Sequence, residues 1–184
     1  QFHLGGSLHL TNVESDGSVR YRQRPYVHFT PTRLLDTREI AAEREFGVGL
    51  ETAVIVGRFH AAGETHWQTV QRPGVSNDPT FFGGYIETGL FLTPNDTRGY
   101  KEGLFERVRP AMEIGEGGIG AVQIAARYDY LDLNELDIFG GIQNAYHFSL
   151  IWTPTDYTRL LLTYARTDYA DAVIPDENGN SDYA

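Results

Sequence analysis

The sequence has no cysteine and a single lysine, Lys101, among 184 residues. The first absence excludes disulfide scaffolds, thiolate metal sites and cysteine nucleophiles. Arginine supplies every other full positive charge, and the formal net charge is −10, which excludes a broadly basic nucleic-acid-binding surface. Any anion site must therefore be local. No apolar run approaches the roughly 20 residues of a membrane helix. Transmembrane barrels escape that test, because their strands alternate lipid-facing with lumen-facing residues and average to moderate hydropathy. Nothing in the composition divides the chain, so residues 1–184 read as one domain or part of one. The chain opens at Gln1-Phe2-His3-Leu4, already inside an alternating pattern and without a signal peptide, and is read as mature, truncated or partly observed.

What is present is alternation, rich in glycine and tyrosine. Phe2, Leu4, Gly6, Leu8 and Leu10 fall on one face of the first segment, with His3, Gly5, Ser7 and His9 on the other, the period of a strand. Thr11 to Ser18 reads as a turn with Asp16-Gly17 at its tip. A second strand is expected from Val19 to Phe29, broken at Pro25, with Arg20, Arg22 and Arg24 on one side about 7 Å apart. Pro31 to Glu43 reads as a short helix or a folded-in loop, with Asp36 or Thr37 as cap. Long strands follow over Arg44–Val56 and Arg58–Gln71, hinged at Gly57, and then over Thr80–Thr93 and Gly120–Leu131. A last hairpin, Asn144–Trp152 with Tyr157–Thr167, is closed by Thr153-Pro154-Thr155-Asp156, and residues 168–184 read as acidic loop. That makes about eight strands, most near the 9–11 residues needed to cross a membrane at a tilt. The short turns at Gly57 and Pro154 fall on one side and longer loops on the other. Pro94 to Gly118 is the exception, long yet on the short-turn side, and is expected to fold into the lumen or cap the periplasmic mouth.

Four separated motifs carry a resemblance. Phe81-Phe82-Gly83-Gly84-Tyr85-Ile86-Glu87-Thr88-Gly89-Leu90-Phe91-Leu92-Thr93 is followed by Tyr100-Lys101-Glu102-Gly103-Leu104-Phe105-Glu106-Arg107-Val108-Arg109-Pro110. Ala125-Ala126-Arg127-Tyr128-Asp129-Tyr130-Leu131-Asp132-Leu133 and Trp152-Thr153-Pro154-Thr155-Asp156-Tyr157-Thr158-Arg159-Leu160 come next, in the same order. From about Arg20 to Asp168 the chain resembles the phosphate-selective porins. The resemblance implies an all-β protein, a transmembrane antiparallel β-barrel of about sixteen strands, with this chain roughly its C-terminal half. It also implies the outer membrane of a Gram-negative bacterium, contact with lipid and lipopolysaccharide, a homotrimer, and passage of small inorganic anions without a cofactor. Arg20, Arg22 and Arg24 match the family's ladder of lumen arginines, with Arg33 just beyond. Arg127 is a further lining candidate, and Lys101 and Arg107 are candidates at the mouth or constriction. The departure is the scarcity of lysine, which the family's phosphate channels gather near those places.

Anion passage needs cations in succession, each replacing hydration yet releasing the ion to the next. Arginine suits this, being permanently charged and able to make paired hydrogen bonds to phosphate oxygens. The plainer alternative pairs these arginines with acids on a solvated face. His60 and His66 flank Glu64, but spacings of two and four along a strand are generic, so no metal site is assigned. Glu64 and Glu87 read as partners of lumen arginines rather than as a hydrolytic pair, and no nucleophile or activated base marks an enzyme. Trp67, Tyr128, Tyr130, Trp152 and Tyr157 read as aromatic girdles near strand ends. A structural or receptor-type barrel that binds an envelope partner through its acidic loops is the competing function.

Overall fold

A computed structural model of the chain describes residues 1–14, 16–26 and 30–184. Ser15, in the first expected turn, and Val27, His28 and Phe29, in the second expected strand, lie outside the described residues. Among the described residues the chain is strand and loop, without a helix. β1 (Phe2–Asn12) leads through four two-residue strands, β2 (Ser18–Val19), β3 (Arg22–Gln23), β4 (Leu35–Asp36) and β5 (Ile40–Ala41), to β6 (Arg44–Val56). β7 (Phe59–Gln71) and β8 (Thr80–Phe91) follow, then the small hairpin β9 (Tyr100–Lys101) and β10 (Leu104–Phe105). β11 (Ala121–Glu135), β12 (Ile138–Thr155) and β13 (Thr158–Ala170) complete the order. The seven long strands form one antiparallel sheet, β1-β6-β7-β8-β11-β12-β13.

Seven strands stand where about eight were expected, because the arginine-rich second segment does not join the sheet. Among the described residues it contributes only β2 and β3, which pair with β5 and β4 inside the connection 13–43. Pro25, with no N–H to give, and the burial of Leu35 favour a folded-in loop over a continuous strand. The other differences lie at turns. β11 and β12 run further than the alternation alone marked, and turn at Leu136-Asp137, where Leu136 takes a φ of 54°. The last hairpin turns at Asp156-Tyr157, since Thr153 and Pro154 continue β12 across an irregularity between Trp152 and Thr155. There Pro154 needs no ladder donor, and its carbonyl accepts from the Ile114 N–H at 3.0 Å. The final residues fold back, with Tyr183 bridging to Tyr169.

Register sorts each long strand onto two faces. The outer face carries Leu4, Leu8, Leu50, Ile86, Phe148 and Leu162, all exposed, Leu8 at 78% and Leu162 at 72%. Trp67, Phe82 and Tyr130 form an aromatic chain on this face, with ring centroids 5.1 and 6.0 Å apart, and Tyr128 packs on Tyr146 at 5.2 Å. The inner face is polar, and both long connections fold onto it. At one end, Leu35, Ile40 and Ala42 pack against Val70, Phe81, Leu133 and Tyr169. At the other, the connection 94–118 seats Val108 against Phe91 and Ala121. Buried Asp96 organises that connection, accepting from the Thr93 hydroxyl and from the Ala111 N–H at 2.7 Å.

Candidate anion pathway on the inner face

The connection 13–43 places Arg20, Arg22 and Arg24 over the inner face, but not as equal rungs. Arg20 donates through Nε to Asp36 Oδ1 at 2.8 Å, through Nη2 to the other carboxylate oxygen, and lies 3.7 Å from Glu39. Asp36 is buried and also accepts the Arg38 N–H at 2.9 Å. Arg20 holds the Asp36 carboxyl below its ordinary range, against burial, with the Arg38 N–H assisting. Arg20 thus fastens the connection. Arg22 is exposed beside a recess shared with His66, Gln68 and Phe81, and Arg24 is half-buried. Neither makes an ion pair among the described residues. Arg33 is turned to the local backbone, donating to Pro31 O at 2.9 Å. Tyr26 reaches the sheet, where its ring packs on His147 at 4.4 Å and its hydroxyl accepts from Gln143 Nε2 at 3.3 Å. Burial pushes that hydroxyl up to about 12, so it remains neutral.

Arg127 stands at mid-sheet, in register with Glu87 on β8 and His147 on β12. It donates to Asp129 at 2.6 Å and to Glu87 at 3.1 Å, and its guanidinium carbon lies 3.6 Å from the centre of the Tyr85 ring. Two acids and an aromatic face fix its plane, so its charge is matched locally. Glu87 is thus the partner of an arginine, whereas Glu64 accepts the Tyr85 hydroxyl at 2.7 Å.

The third group of cations comes with the connection 94–118. Arg107 lies 3.5 Å from Asp156 and 5.8 Å from the Tyr157 ring centre, at the short-turn end. Lys101, at the tip of the β9–β10 hairpin, is exposed and 3.9 Å from Glu102. Arg98 and Arg159 were not singled out by sequence reasoning, yet both face a cavity of about 760 Å³ between this connection and the sheet. Burial, with Arg159 pushing the same way, lowers the pKa of Arg98, and Glu87 opposes them. His60 and Gln123 lie behind, 3.2 Å apart, in space that Gly89 leaves open: a Cβ there would meet the His60 ring at 2.4 Å. The signal for Arg159 was its inward parity on β13. Arg98 sits in a loop and had none.

Along the inner face, then, cations occur at one end on 13–43, at mid-sheet, and at the other end around 94–118. Such a succession can offer an anion several binding steps.

The family model described as phosphate-selective porin O and P matches residues 4–182 of the chain. An uncharacterized protein of Caulobacter vibrioides is 48% identical over 185 residues, covering the whole of this chain and 37% of that relative's length. A match of this extent, on a sheet with the two-faced strands and inward connections just described, settles kinship: the chain belongs to the phosphate-selective porin O and P family.

Proposed function

We propose that the chain is part of a single outer-membrane β-barrel domain through which small inorganic anions, phosphate first, diffuse passively. The observation that carries this reading is the division of the sheet into an exposed apolar face and an opposite face holding three groups of cations. In lipid, the apolar face needs no further cover, and an open strand edge does need a partner. Both β1 and β13 have a side that pairs with no strand, apart from the Tyr183 bridge at Tyr169, and further strands of the whole protein would close the ring. Each long strand has at least the 11 residues of β1, enough to cross at a tilt. In this reading Arg22 and Arg24 lead anions in, with Arg20 and Arg33 beside them. Arg127, held by Glu87 and Asp129, is a fixed lining donor at mid-height, and Arg107 and Lys101 mark the short-turn mouth.

The test is a planar-bilayer measurement on the whole protein. Reversal potentials in a salt gradient are expected to show anion selectivity, and Arg22→Gln with Arg24→Gln to lower the anion-to-cation permeability ratio about two- to fivefold, since both charges act largely through solvent. Cation selectivity, or a ratio unmoved by both substitutions, would overturn it. An absence of current, with a stoichiometric envelope protein copurifying, would favour the structural or receptor-type barrel.

A further inference from the structure

The cavity beneath the connection 94–118 holds positive charge that the protein itself does not match. Arg107 is set against Asp156, and Arg127 against Glu87 and Asp129. Arg98 and Arg159 form no ion pair among the described residues, and of the acids lining the cavity only Glu106 is likewise unpaired there. Among the described residues the Nε of Arg98 is buried without an acceptor, although the residue is carried over the sheet on a well-packed connection. A buried guanidinium donor left unmet is unfavourable, and a second arginine facing the same space adds to the strain. An anion in that space relieves both.

The walls say more about which anion. Phe105 lies 5.2 Å from the Arg98 guanidinium carbon and is fixed edge-on by His60 at 5.6 Å and Tyr100 at 5.5 Å. Ile151 and Leu161 of the sheet line the same cavity. Its volume of about 760 Å³ is that of a small-molecule site, far above what one oxyanion fills. A bare, strongly hydrated oxyanion gains nothing from apolar walls. An anion with an apolar body gains from the arginines and the walls together.

We propose that the cavity beside Arg98, Arg159 and Phe105 binds a small organic phosphate, its phosphoryl group at the arginines and its apolar body against Phe105. The proposal rests on the anion-pathway reading above. The test uses the whole protein in a planar bilayer carrying chloride current, blocked by phenyl phosphate or by inorganic phosphate at equal charge. Phenyl phosphate is expected to block at a half-blocking concentration about tenfold lower. Arg98→Gln raises its value about tenfold, and Phe105→Ala raises it while leaving that of inorganic phosphate in place. If the Arg98 variant fails to insert, Arg159→Gln, at an exposed residue, carries the same expectation. Equal block by the two compounds, or block insensitive to these substitutions, in an anion-selective channel overturns the organic-phosphate site and leaves the anion pathway standing. A cation-selective channel overturns both.

Discussion

Asp36 concentrates much of the chemistry of the connection 13–43 in one side chain. It is buried, it takes the Arg20 guanidinium through both oxygens, and it caps the Arg38 N–H. Its pKa is depressed in the folded chain, so the stabilisation it gives is full above the ordinary carboxylate value of about 4 and is lost as pH falls through the lower folded value. Hydrogen exchange at Thr37, whose N–H donates to Tyr21 O at 2.9 Å, is the readout. After correction for intrinsic rates, protection is expected to hold from neutral pH down to about 4 and to fall below it. Asp36→Asn is expected to remove that step. At this scale the sequence was legible in parity: the inward side of Glu64, Glu87 and Arg127 follows from alternation. Partners were not legible. Arg20 was expected among the lining arginines and Asp36 or Thr37 as the cap of a short helix or folded-in loop, and nothing in the spacing of sixteen residues between Arg20 and Asp36 says that the two meet.

The two inward connections are elements in their own right, each seated by a small core. Leu35 is fully buried at the centre of the first, against side chains of the sheet. Leu35→Ala is expected to destabilise the docking of 13–43 by about 2–5 kcal/mol, the loss for a large-to-small change where the site cannot collapse. Limited trypsin cleavage after Arg33, faster in the variant while the sheet stays resistant, is the check. The strands themselves were read well where alternation was strong, as in β6, β7 and β8. Their ends were read less well, for identifiable reasons. The β11–β12 turn has no glycine at its left-handed residue, Leu136. Pro154, an apparent turn residue, sits in an irregularity of β12 instead. The connection 94–118 was expected inside the lumen or across the mouth, and it does fold onto the inner face, but Arg98 became visible as a site residue only with that folding.

For the whole molecule, the decisive property is an apolar face left bare by the fold. Ile86 lies midway along β8, 62% exposed, between Gly63 of β7 and Tyr128 of β11. In a barrel spanning the outer membrane, Ile86→Arg is expected to lower stability by about 2–4 kcal/mol, as for a cation at mid-bilayer. Urea titration of the whole protein in phospholipid vesicles measures it, and near-neutral behaviour would contradict a lipid-facing position. The strand pattern made this face readable residue by residue. The register across strands, which makes it continuous, came from pairing that no single segment encodes.

Both connections that occupy the inner face dock on strands of this one sheet. The first rests on side chains from β7, β8, β11, β12 and β13, and the second on β1, β7, β8, β11 and the β12–β13 turn. Both sets of contacts are made within the strands from β1 to β13. In the proposed barrel, the interior can therefore be furnished while the sheet is still open, and the order of assembly need not thread either connection into a finished ring.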